Sequence, residues 1–322
     1  MKLLIIHPGA LGDVICSFPA ILLLRDRFDR IDLISRHEIG KLACCLRLIE
    51  NSYPLESAVF AGLFSTADDH CDTRLFEILN LYDKILFFGF SGIISENIQK
   101  ITGKRPCRVS PRPLPDKCIH VSRHLVLRLV ESDLLTKGSE NRMINVFKNY
   151  RCKEFDPQKI TIHPGSGSPR KNWPVQNFLK VAGILKSDGF RPVFVMGPAE
   201  KSLAAKIEKG WYGIISSKLP DAQEILFFPN DLMELADVLK NSAAYIGNDS
   251  GVSHLAAFLG IPTISIFGPT DPRRWMPLGL HSGAVFVENS CKPCFENTNA
   301  VCEKRDCLTK ISPEQVMKNF LL

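Results

Sequence analysis

Asp13 stands in the stretch GALGDVICSFPAI, residues 9–21, directly behind the apolar run Leu3–Ile6. Gly9 and Gly12 permit a tight turn and close approach of the backbone to a ligand. The free amides that open the following helix favour an anion. The carboxylate admits two readings. Asp is among the commonest helix N-caps, whereas a carboxylate held in a partly apolar cleft beside a substrate hydroxyl is a general base. Spacing alone favours the cap.

A second stretch, HPGSGSPRKNWP (residues 163–174), offers amides and hydroxyls at Ser166, Gly167 and Ser168, then the cations Arg170 and Lys171. Pro174 follows at the position proline prefers at a helix start. Such a convergence suits a diphosphate, and it equally describes a solvated turn with a basic tip. It matches neither the P-loop nor the G-x-G-x-x-G order. A third stretch joins two polar strand ends. Gly247-Asn248-Asp249-Ser250-Gly251 precedes a helix, and Gly268-Pro269-Thr270-Asp271-Pro272 ends the next strand. Asp249 is placed to accept from sugar hydroxyls, and the Ser250 and Gly251 amides to hold phosphate, unless Asp249 and Ser250 only cap. His254 in the first helical turn reads as a core histidine or a ligand contact. Open α/β sheets bind ligands at such carboxyl strand ends.

Two features remain outside these loops. Cys291, Cys294, Cys302 and Cys307 crowd one region; tetrahedral thiolate binding of zinc or iron is one reading, free thiols the other. A basic run, Lys100, Lys104, Arg105, Arg108, Arg112, Lys117, Arg123 and Arg128, is interrupted by Asp116 alone among the acids. It reads as a solvated face or as a surface for an acidic acceptor or anionic lipid headgroups.

The elements that must position these residues are legible as alternating short apolar runs and helical patterns. Leu3–Ile6, Ile31–Ser35, Lys84–Phe88, Lys159–His163, Arg191–Met196, Ala243–Ile246 and Pro262–Phe267 read as buried strands. Phe18–Arg27, Val175–Ser187, Leu232–Lys240, Val252–Leu259 and Pro313–Leu322 read as helices. Alternation implies parallel sheets covered by helices. The strand–His-Pro-Gly grammar of residues 2–9 recurs at 159–165, so two Rossmann-like halves are expected, 1–153 and 154–322, with the polar stretch 148–157 as linker.

The 322 residues suit two domains, and 45% apolar content supplies two cores. A net charge of +6 fits an anionic ligand or acidic membrane surface and is too modest for nucleic acid. His7-Pro8-Gly9 breaks the N-terminal apolar run before it reaches signal-peptide length. The odd total of 11 cysteines favours a reducing compartment, so a cytoplasmic location is expected.

With these motifs assembled, the chain resembles the ADP-heptose–lipopolysaccharide heptosyltransferases, glycosyltransferase family 9. The likeness covers nearly the full length. It rests on GALGDV, HPGSGSPRKNWP, GNDSGVSHLAAFLGIPTISIFGPTDPRRWMPLG, and a CKPCF…C…CL tail followed by ISPEQV, in that order. The resemblance implies a GT-B fold, two Rossmann-like domains facing across a cleft, with acceptor on the first domain and nucleotide-sugar on the second. It implies an inverting, metal-independent transfer from an ADP-sugar, with no obligatory cofactor, to a lipid-linked or core oligosaccharide, and peripheral contact with the inner membrane. It puts Asp13 at the catalytic-base position, reversing the preference for a cap. Lys171 falls at the donor diphosphate, and Ser166, Gly167, Ser168, Asp249, Ser250, Gly251, His254, Thr270 and Asp271 in the donor loops. Gly12, Arg105 and Arg108 are expected on the acceptor side. Two other readings stand beside it: a GT-B transferase with another nucleotide-sugar, and a non-catalytic sugar-nucleotide-binding protein.

Overall fold

Runs that are apolar at consecutive positions must bury both faces, which is how parallel strands read. In the computed structural model of the chain, which describes residues 1–65, 73–143, 145, 154–214, 225–288, 291, 293–296, 302 and 304–320, every such run is a strand. The chain divides into two compact units, Met1–Val146 and Phe147–Leu322. The expected division after residue 153 and most of the expected linker fall at 146–153, outside the described residues.

The first unit contains β1 (Lys2–Ile6), β2 (Arg30–Ser35), β3 (Asn51–Pro54), β4 (Lys84–Phe88) and β5 (Cys107–Val109), joined through α1 (Leu11–Leu24), α2 (His37–Cys45), α3 (Thr73–Asn80), α4 (Gly92–Thr102) and α5 (Val121–Glu131). All ladders are parallel and the order is β3-β2-β1-β4-β5. The winding reverses between β1 and β4, so the loops after those strands part and leave a crevice at the carboxyl edge. Leu4, Ile6, Ile34, Leu79, Phe87 and Ile98 are among the fully buried side chains of the core beneath it.

One helix begins earlier than expected. The pattern predicts a helix over Phe18–Arg27, but α1 spans Leu11–Leu24 and carries Pro19 inside it. Every residue from Val14 to Ile21 is buried, and that burial outweighs the one backbone hydrogen bond proline removes.

The second unit contains β6 (Asp156–His163), β7 (Arg191–Val195), β8 (Leu226–Phe227), β9 (Ser242–Asn248), β10 (Thr263–Ile266) and β11 (Ser282–Val285). Its helices are α6 (Val175–Ser187), α7 (Lys201–Ile214), α8 (Leu232–Lys240), α9 (Gly251–Phe258), α10 (Pro272–Trp275), α11 (Asp306–Thr309) and α12 (Pro313–Phe320). The parallel order is β11-β10-β9-β6-β7-β8. Its reversal falls between β6 and β9, which brings the loop at 164–173 beside the loop at 248–251. Trp173, Phe178, Phe194, Ile246 and Ile266 lie in the core. Among the described residues no helix is long and apolar enough to cross a membrane.

Candidate functional site

The crevice between β1 and β4 holds a cavity of about 460 Å³, walled by the loops that follow β1, β4 and β5. Its wall is largely aromatic and aliphatic, with Phe64, Phe87, Phe88, Phe90, Ile93 and Ile94, and its charged members are Asp13 and Arg112. Because α1 starts at Leu11 with Ala10 as its cap residue and no side-chain cap bond, Asp13 is its third residue and not its cap. No hydrogen bond or ion pair engages the half-buried Asp13 carboxylate among the described residues. The helix therefore leaves this carboxylate unused, on the wall of an apolar cavity. Gly9 lies between it and His7: a Cβ on Gly9 would stand 2.7 Å from His7 Cε1 and 2.9 Å from Asp13 Cβ.

Of the cations expected on the acceptor side, neither Arg105 nor Arg108 lines this cavity, and neither does Gly12. Arg108 instead donates to the Phe90 carbonyl at 3.3 Å. Arg112 takes the place at the wall, its guanidinium 5.3 Å from the Phe90 ring centroid.

In the second unit Asn248 ties together the two loops at 164–173 and 248–251. Its amide donates to the carbonyls of Pro164 (2.7 Å) and Gly165 (3.2 Å) and accepts from the Trp173 N–H at 2.9 Å. This places the Lys171 Nζ 3.2 Å from Asp249 Oδ2, to which the Thr270 hydroxyl also donates at 2.8 Å. Ser250, not Asp249, is the α9 cap, accepting from the Ser253 N–H. Gly251 is the first residue of α9 and His254 lies buried in its first turn. Lys171, Asp249, Ser250, Gly251 and Thr270 thus converge.

The remaining expected donor residues serve the loops themselves. The Ser166 hydroxyl is within hydrogen-bonding distance of the Ser168 carbonyl and Asn172 Oδ1, and Ser168 caps the short turn Pro169–Lys171. Gly167 has open space where a Cβ would sit. Asp271 caps α10 and pairs with Arg273 at 2.7 Å. Burial opposes its ionisation, but the Arg273 side chain and N–H hold its carboxyl below the usual range.

Three contributors escaped the sequence reading. Asn248 is one. Glu200 is the second: it lies beneath Gly165, where a Cβ would come within 2.0 Å of Oε1, and 3.9 Å from His163 Nε2. Burial works against the Glu200 charge, yet His163 and the Gly197 N–H keep its carboxyl low. The third is Phe295, whose ring centroid lies 5.3 Å from both the Arg170 guanidinium and Lys171 Nζ. The N–H groups of Cys294 and Phe295 fasten that segment to the Pro269 carbonyl at 2.9 and 3.0 Å. Apart from the local Glu200–Gly197 contact, these pairings have no local sequence signal, because each joins positions far apart in the chain.

Among the described residues the four cysteines are not assembled around a common centre. Cys294 Sγ lies 3.8 Å from the Arg170 guanidinium, and Cys307 packs against the core. Burial, then the neighbouring thiols of Cys294, Cys302 and Cys291, push the Cys307 thiol up. Among the described residues no three His, Cys, Asp or Glu side chains are disposed to hold an ion.

The sequence model described as Glycosyltransferase family 9 (heptosyltransferase) matches residues 121–304, more than half of the chain. The chain belongs to glycosyltransferase family 9. As a family 9 member it is a glycosyltransferase. It is similar to lipooligosaccharide heptosyltransferase 2 of Campylobacter jejuni subsp. jejuni serotype O:6, at 23% identity over 99% of this chain and 98% of that protein. Its fold is similar to that of E. coli ADP-heptose lps heptosyltransferase II, with a TM-score of 0.73 at 17% identity, covering 100% of this chain and 98% of the other. A third likeness is to the dodecameric iron-containing heptosyltransferase TibC of enterotoxigenic E. coli in complex with ADP-D-β-D-heptose. There the TM-score is 0.58 at 16% identity, over 99% of this family 9 chain and 75% of that one.

Proposed function

We propose that this glycosyltransferase moves a heptose from ADP-heptose to a lipopolysaccharide or lipooligosaccharide core acceptor, with inversion at the anomeric carbon. The N-terminal half, residues 1–153, takes the acceptor and the C-terminal half, 154–322, the donor. One observation supports this most: the Asp13 carboxylate, unused by its helix, stands on the wall of an apolar cavity at the β1/β4 switch point. The donor and the acceptor class follow the heptosyltransferases to which the chain is similar.

The chemistry asks for two things. The acceptor hydroxyl must lose a proton as it attacks, and the departing diphosphate must be stabilised. Asp13 receives the proton while the new C–O bond forms on the face opposite the breaking bond to phosphate. Lys171, Arg170 and the amides opening α9 take up the negative charge of the released ADP. Those groups replace a divalent ion at the leaving group, so a chelator is expected to leave the rate unchanged.

The acceptor is amphiphilic on this reading. Phe64, Phe90 and Leu114 are exposed, and Phe90 meets both Arg108 and Arg112, a mixture suited to an anionic sugar carried on lipid. Peripheral contact with the cytoplasmic face of the inner membrane goes with that. The test is transfer to heptose-deficient lipopolysaccharide read by mass spectrometry, with and without chelator. A product heavier by one heptose residue supports the assignment; a different added mass, or stabilisation by UDP and not ADP in a thermal-shift panel, contradicts it.

A further inference from the structure

His7 continues β1 into the cavity and is 1% exposed. Its ring lies 5.2 Å from the Phe88 ring, centroid to centroid, and both residues line the cavity with Asp13. Nδ1 accepts the Gly9 N–H at 3.2 Å. A ring nitrogen that accepts a hydrogen bond is unprotonated, so in the neutral imidazole the proton sits on Nε2. Burial pushes the pKa down to about 4, against the opposing pull of the backbone at His7 and Asp13, so the ring is neutral near pH 7.

That Nε2 is buried and makes no hydrogen bond among the described residues. Buried donors without an acceptor are rare in folded proteins and costly. The tilted contact with the Phe88 ring does not require a nitrogen at that position. The cavity wall carries few other polar side chains, Asp13, Ser91 and Arg112, and a ligand in such a site is oriented by a few placed polar groups.

We propose that His7 is a second substrate-contacting residue of this cavity: its Nε2–H donates to an oxygen of the acceptor and so holds the neighbouring hydroxyl against Asp13. The proposal rests on the reading of Asp13 and its cavity given above. No proton changes hands at the imidazole, which stays a neutral donor throughout; the hydroxyl proton goes to Asp13.

The test compares His7→Leu, which removes the donor, with His7→Gln, whose terminal amide N–H lies near the place of Nε2. ADP-heptose and heptose-deficient lipopolysaccharide serve as probes. The expected result for Leu is a loss of about tenfold in kcat/KM for the acceptor, with the KM for donor and the thermal shift by ADP unchanged, and recovery of most of the loss by Gln. An acceptor kcat/KM within twofold of wild type for Leu, or equal losses for Leu and Gln, overturns it in favour of packing alone. Should the Leu variant not fold, Gln against His7→Asn makes the same comparison, since the shorter amide cannot reach the Nε2 position. Gln active and Asn impaired supports the proposal; equal behaviour overturns it. Asp13→Asn is measured alongside. Wild-type turnover in that variant removes the underlying reading, whereas an inactive Asp13→Asn with an unimpaired His7→Leu removes this inference alone.

Discussion

Lys171 is held by Asp249 at 3.2 Å and lies over Phe295, with 15% of its side chain exposed. A diphosphate arriving there meets a cation already fixed in place, so little ordering is left for the moment of binding. Replacing it by Met leaves Asp249, 6% exposed, with Thr270 as its remaining named partner. We expect Lys171→Met to weaken ADP affinity at least tenfold by calorimetry and to lower the melting temperature as well. His7 carries a different signature. Its pKa falls from 6.5 to about 4 in the folded chain, so the unfolded chain binds more protons between those values and stability declines as pH drops through that window. The shift corresponds to on the order of 3 kcal/mol. Denaturant midpoints measured from pH 7 to pH 4 are expected to fall less steeply in His7→Gln than in wild type; identical slopes would show that His7 does not govern the acid limb. Asp13 shows why residue roles were only partly legible. Whether an Asp caps or is left over depends on where its helix begins, and the helical pattern read from Phe18 starts later than burial of Val14–Ile21 enforces.

At the scale of elements, the seven apolar strands could be read from sequence to within a few residues because each buries both faces. The strands that could not be read were β3, β5, β8 and β11: all four are edge strands two to four residues long, and Asn51–Pro54 carries polar residues. Short outer strands need little continuous apolar sequence, so they leave little pattern. The tail's role was equally hidden. Leu308 in α11 is fully buried, and a Cβ on Gly268, at the end of β10, would lie 2.4 Å from its Cγ. The loop after β10 is therefore braced from below by the tail. Gly268→Ala is expected to cost about 1–3 kcal/mol in chemical denaturation through overpacking. Combined with Leu308→Ala, the total loss should be smaller than the sum of the two, because the second change makes room for the first. Strict additivity would mean that the two do not touch.

At the scale of the molecule, each unit has its own parallel sheet and its own switch point. One switch point carries an apolar cavity with a carboxylate; the other carries a cation, an acidic partner and helix-start amides. Two such different environments suit two different ligands. Hydrogen exchange checks this: ADP is expected to slow residues 165–173 and 247–251, and the acceptor to slow residues 7–13 and 88–94. Protection by ADP confined to residues 7–13 would reverse the assignment of the halves.

The most direct test is Asp13→Asn, which keeps the size of the side chain and removes its basicity. Transfer turnover is expected to fall by about 10²–10⁴-fold, with ADP affinity and melting temperature as in wild type. A variant that binds ADP normally and still transfers heptose at the wild-type rate would contradict the account.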